Sequence, residues 1–129
     1  MKKNQAVILL LLIVGVSIIL SSCKDMQVGV FSLDEYTEYM ETFSSEEFLG
    51  SINTAEVAVE KAEMLWEKRY GKAIIEKEKP FKVCYDKLNE AWLVNGTFHK
   101  SILTSTKGGT AHIIIRKIDG RVLAVWHDK

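Results

Sequence analysis

The sequence predicts an α+β domain, a curved antiparallel sheet of about four strands packed on an N-terminal helix. Three observations lead there. Between residues 54 and 70 apolar side chains recur every three to four positions, after Pro80 the period drops to two, and the period-two segments form two pairs joined by turn-forming stretches. With 129 residues, 47% of them hydrophobic, the chain holds one small domain and is too short for two. One proline and eight glycines argue against a disordered or collagen-like chain.

The helix is expected to start after Asn53, a capping residue with Glu56 three positions on, and to line one face with Ala55, Ala58, Val59, Ala62, Leu65, Trp66 and Tyr70. Gly71 stops it. Ala73, Ile74 and Ile75 can add a further turn before Pro80 imposes extended backbone. The first hairpin pairs Phe81 to Asp86 with Ala91 to Phe98 through Lys87-Leu88-Asn89-Glu90, setting Tyr85 opposite Trp92, Val83 opposite Val94 and Phe81 opposite Gly96. Gly96 inside a strand predicts a bulge or bend that curls the sheet around the helix. The second hairpin, Thr110 to Ile118 and Arg121 to His127, turns at Asp119-Gly120. A two-residue turn there sets His112 opposite His127. It places Ile113, Ile115, Val122, Ala124 and Trp126 on one face, with His112, Ile114, Arg116, Leu123, Val125 and His127 on the other.

Upstream of this body the chain divides again. Lys2 and Lys3 precede an uncharged run of fifteen residues, Ala6 to Leu20, short for a bilayer span and suited to the h-region of a secretion leader. Leu20-Ser21-Ser22-Cys23 resembles the bacterial lipobox, which implies lipidation of Cys23, cleavage before it, and membrane attachment through that lipid in the cell envelope, facing the periplasm in a diderm. The expected organisation is 1–22 signal peptide, 23–53 acidic arm and 54–129 body. An uncleaved signal anchor is the alternative. Cys84 then has no disulfide partner and reads as a small buried apolar residue.

The seventeen basic and seventeen acidic side chains balance, which removes the simplest argument for a nucleic-acid partner, and none is expected. The balance conceals a division. From Lys24 to Asn53 seven acids face one base, whereas Thr54 to Lys129 carries fourteen bases and ten acids. Within the arm, Ser32-Leu33-Asp34-Glu35 fits a capping box, and Leu33, Tyr36, Tyr39, Met40 and Phe43 recur at helical spacing. A short amphipathic helix packed on the body is the expected outcome, with a mobile partner-binding arm as the alternative.

Ala62-Glu63, Trp66, Tyr70-Gly71, Lys79-Pro80-Phe81, Trp92-x-Val94-x-Gly96, Gly108-Gly109, Ile113-x-Ile115, Lys117, Asp119-Gly120 and Val122-Leu123 occur in an order and spacing that resembles the immunity proteins with a nuclear-transport-factor-2-like fold. The resemblance spans Thr54 to Lys129 and leaves out the leader and arm. It implies a cone-like sheet wrapped around a helix, no enzymatic activity, and a cognate secreted bacterial toxin as partner.

No catalytic set, metal site or cofactor is expected. His112 and His127 could share a metal, yet lack a third ligand; Asp119 is used by its turn, and Asp86 reads as an exposed acid at a hairpin end. Lys107-Gly108-Gly109-Thr110 lacks the upstream glycine and following helix of a phosphate loop. The candidate partner-binding residues are Asp34, Glu35, Glu38 and Glu41 on the arm, suited to a basic toxin, and Ile102 and Leu103 in the irregular stretch from His99 to Gly109. The alternative function is an envelope lipoprotein that binds or acts on a small ligand in a curved-sheet pocket near His112, His127 or Tyr85.

Overall fold

The structure is a computed structural model that describes residues 26–44, 46–99 and 108–129. In chain order the elements are β1 (Val28–Val30), a 3-10 turn (Leu33–Tyr36) running into α1 (Thr37–Glu41), α2 (Ala55–Tyr70), α3 (Lys72–Glu76), β2 (Lys82–Asp86), β3 (Ala91–Asn95), β4 (Ala111–Arg116) and β5 (Val122–His127). They form a curved sheet of five strands in the order β1-β2-β3-β4-β5, with β1 parallel to β2 and every other pair antiparallel. The strand beyond the expected four is β1, contributed by the arm.

The cap of α2 is Thr54, one residue later than the sequence predicts: its extended backbone lets Oγ1 accept from the Val57 N–H at 3.2 Å. At the other end Gly71 adopts a φ of 97°, while its N–H donates to the Glu67 carbonyl. Ala55, Ala58 and Ala62 are buried against the sheet, and their small side chains allow the close approach that Leu65 and Trp66 then fill. Ile52, Trp66, Ile75, Val94, Ile113 and Ile115 are all fully buried, so the concave side of the sheet is packed solid.

Tyr85 pairs with Trp92 and Val83 with Val94, as expected; the ladder ends at Lys82 opposite Asn95, before Phe81 and Gly96. Asp86 is not an exposed hairpin acid. It is 5% exposed, and its carboxylate accepts from the N–H groups of Leu88 and Asn89 and from Asn89 Nδ2, building the turn from within. These donors, the Asn89 side chain foremost and then the Leu33 backbone, hold its carboxyl below the usual range.

The second hairpin departs further from expectation. The Arg116 N–H donates to the Arg121 carbonyl, so four residues, Lys117 to Gly120, make the turn rather than two. A bulge then skips Leu123: Ile115 pairs with Val122 and Ile114 with Ala124. His112 therefore faces Trp126, and His127 faces Ala111. Because one residue of slip exchanges the faces, Val125 joins the helix-side core while Ala124 and Trp126 pack on the opposite face. Val122, ahead of the bulge, stays inside.

The arm lies along that second face. Phe31, Leu33, Tyr36, Met40 and Phe43 pack on Leu93, Ile114, Ala124 and Trp126, as the helical spacing predicts. The capping box does not form: Ser32 makes no side-chain cap bond, and the Leu33 N–H donates instead to Asp86 Oδ2 at 2.8 Å. From there the chain returns along the β5 edge, where Val122 and Leu49 N–H groups donate to Glu47 and Gly120 carbonyls. Gly120 is needed there, since its φ is 68° and a Cβ would lie 2.1 Å from the Gly50 oxygen.

Candidate functional site

Two clusters of polar and aromatic groups stand out, one on each side of the last strand. The first is centred on Glu78, which follows α3 and is 6% exposed. Glu78 Oε1 accepts from the Ala111 N–H at 2.6 Å, and Oε2 lies 2.9 Å from His127 Nε2. His127 Nδ1 lies 2.7 Å from the Asp128 carbonyl, and the Tyr70 ring packs beside the imidazole at 5.1 Å. Each ring nitrogen of His127 thus has an oxygen within hydrogen-bond distance, a carboxylate on one side and a carbonyl on the other. Gly96 makes room for it: a Cβ there would lie 2.5 Å from Glu78 Oε1. The spatial demand of a buried carboxylate, more than a bend, accounts for glycine at that position.

This cluster borders an open cleft of about 490 Å³, walled among the described residues by Ile74, Lys77, Phe98, His99 and Gly109. Glu78 and His127 spend their hydrogen bonds on each other and on the backbone, which makes them a clasp joining α3, β4 and β5 rather than a free acid-base pair. His112 lies on the other face, with Nε2 2.6 Å from Asp128 Oδ2 and Nδ1 2.6 Å from Asn95 Oδ1. The two histidines do not converge on a common ligand, and the Asp128 carboxylate turns towards His112. Tyr85 is elsewhere, tilted against Trp92 with ring centres 4.5 Å apart.

The second cluster is an aromatic stack on the arm side. Trp126 stacks with Tyr39 at 4.2 Å and with His112 at 4.9 Å, and Tyr36 lies 6.0 Å from Trp126. Tyr39 remains 43% exposed. Asp34, Glu35, Glu38 and Glu41 are all exposed, on the side of the 3-10 turn and α1 away from the packed Leu33, Tyr36 and Met40. The structure thus offers an acidic surface beside a partly exposed aromatic stack, a combination suited to a basic protein partner. Cys23, Ile102 and Leu103 lie outside the described residues.

Neither cluster is anticipated as such in the sequence. Glu78 falls in a stretch of mixed helical and polar character, and its only signal is the strand glycine opposite. Trp126 shifts to the outer face through the bulge, which the two-residue turn expectation does not contain.

The sequence profile of the NTF2 fold immunity protein family matches residues 57–129. Two Escherichia coli K12 proteins, both described as uncharacterized, are similar to the chain. YhhH is 38% identical over 73 residues, which are 57% of this chain and 54% of YhhH. YbbC is 29% identical over 116 residues, 86% of this chain and 89% of YbbC, so that alignment necessarily runs into the acidic arm. The chain spans about half the length of YhhH. No solved structure matches.

Proposed function

The chain belongs to the NTF2 fold immunity protein family, and from that membership we propose that it is a lipid-anchored envelope protein that binds and neutralises a cognate secreted toxin. The observation that carries the reading is the family match over residues 57–129, which takes in α2 from its first turn and the whole of β2 to β5. The packed concave side supports recognition by an outer surface rather than in a deep pocket. The surface best suited to it is the acidic face of Asp34, Glu35, Glu38 and Glu41 with the Tyr39 and Trp126 rings beside it. Exposed carboxylates steer a cationic partner, and the rings supply apolar area at little cost in conformational entropy.

Membrane attachment rests on the leader and on Leu20-Ser21-Ser22-Cys23. Among the described residues no helix is long and apolar enough to cross a membrane. Several acyl chains on Cys23 would hold the protein firmly, where a single chain binds only marginally.

The test is copurification with a toxin encoded beside this gene, followed by growth rescue of cells producing that toxin. Rescue by the intact chain and its loss when Tyr39 and Trp126 are both changed to Ala, with folding retained, is the expected result. A cognate toxin that neither binds nor is neutralised would sink the reading. Acyl labelling that survives Cys23→Ala would sink the anchor.

A further inference from the structure

We infer that the end of the molecule where β2 begins is a docking face for an anionic bilayer leaflet, formed by Val28, Ile74 and Phe98 with Lys72, Lys77 and Lys82. The inference rests on the reading that residue 23 is held at the membrane, which a lipid on Cys23 or an uncleaved leader would achieve alike.

Covalent reach supplies the first argument. Residue 23 is three residues from Met26, and three residues span at most about 10 Å. Met26 packs against the helix-side core and shares a surface depression with Phe81, Lys82 and Val83. A membrane at residue 23 is therefore within about 10 Å of Met26, which lies beside the start of β2, too close for the body to ride on a free stalk.

The composition of that end supplies the second. The Thr97 hydroxyl donates to the Pro80 carbonyl, and His99 Nε2 lies 2.7 Å from the Lys79 carbonyl, which holds Phe98 beside the start of β2. Phe98 is 51% exposed and Ile74 50%, and both wall the same cleft together with Lys77. Among the described residues the nearby acids are already engaged: Glu76 with Lys79, Glu78 with His127 and Asp128 with His112. Lys79 is held between Glu63 and Glu76, whereas Lys72, Lys77 and Lys82 are exposed and have no ion pair among the described residues. Half-exposed apolar side chains ringed by uncompensated lysines match an interface with anionic headgroups. The Tyr39 and Trp126 stack lies at the β5 edge, on the side of the sheet opposite α2 and α3.

The experiment uses the full chain purified from bacterial membranes and reconstituted in phosphatidylethanolamine–phosphatidylglycerol vesicles containing spin-labelled lipid. An environment-sensitive fluorescent amino acid is placed singly at Ile74, Phe98, Leu88 or Ile118, the last two being exposed tips of the opposite hairpin turns. Docking predicts quenching at Ile74 and Phe98 at least twofold stronger than at Leu88 and Ile118. Replacing Lys72, Lys77 and Lys82 together with Glu should bring that ratio towards one. Equal weak quenching at all four sites, or stronger quenching at the hairpin tips, would overturn the proposal. Acyl analysis of the same sample tests lipidation separately, since an unacylated chain retaining its leader presents residue 23 to the bilayer at the same distance.

Discussion

The two faces of the sheet are covered in different ways. On the concave face α2 and α3 bury Trp66, Ile75, Ile113 and Ile115 completely, and the clasp from Glu78 to His127 and the Ala111 N–H closes one end. On the other face a 3-10 turn and five residues of α-helix cover Leu93, Ile114 and Ala124 while leaving the Tyr39 ring partly in water. The first face is sealed by shape; the second is closed by a thin arm tied through β1, a bond to Asp86, and the backbone bonds of Glu47 and Leu49 with Val122 and Gly120. The lesson is a division of labour: the sealed face holds the fold, and the thin cover is where sequence can change for a partner at small cost.

The strongest way to break this comparison is to remove a large side chain from each face. Trp66 is fully buried and meets Phe81 edge to face at 5.2 Å, so Trp66→Ala should cost about 3–5 kcal/mol, enough to unfold a marginal domain. Trp126→Ala should cost about 1–2 kcal/mol, because part of its ring already meets water. Urea denaturation followed by far-UV circular dichroism compares the two. Equal losses would mean that the arm face is as much a core as the helix face.

Next in size is the clasp. Glu78→Ala deprives the Ala111 N–H of its acceptor and His127 of its carboxylate, an expected loss of about 2–3 kcal/mol. Glu78→Gln should lose less than half as much, since its amide oxygen still accepts from Ala111. If Gln costs as much as Ala, the carboxylate's contact with His127 rather than the backbone bond is what the clasp supplies.

How much was legible in the sequence follows the same division. Helix α2, both hairpins and the register Tyr85–Trp92 came from local periodicity and turn chemistry, and the immunity-family resemblance agrees with the profile match. β1 did not, because Val28-Gly29-Val30 is too short for a pattern and its partner strand lies more than fifty residues away. The cap moved from Asn53 to Thr54 because either side chain can accept the bond, and the backbone entering α2 decides. The faces of β5 were reversed beyond Leu123 because a bulge changes parity without changing composition. Asp86 looked exposed because the groups that bury it come from the arm.

That buried acid gives the third prediction. A folded pKa below the ordinary 3.8 means that Asp86 adds stability above that value, which is lost as the pH falls through the lowered folded value. Asp86→Ala should cost about 1–2 kcal/mol at neutral pH, and its loss relative to wild type should shrink in acid. Hydrogen exchange should show the arm N–H groups, Leu33 first, losing protection before those of β3 and β4. Simultaneous loss in arm and sheet would make the cover an integral part of the core.

The smallest effect on stability and the most direct bearing on function belong to the arm's charges. Asp34, Glu35, Glu38 and Glu41 are exposed, so converting all four to Asn or Gln should change stability by no more than about 0.5 kcal/mol. Association is a different matter. If the acidic face captures a basic toxin, the neutralised chain should bind roughly tenfold more slowly at low salt, with little change in dissociation, because steering acts on encounter. The difference should shrink at physiological salt, where exposed charges are screened beyond about 8 Å. Stopped-flow binding at two ionic strengths separates the cases. A wild-type rate for the quadruple variant at low salt would remove the acids from recognition, leaving the Tyr39 and Trp126 rings or the 99–109 stretch to supply the contact.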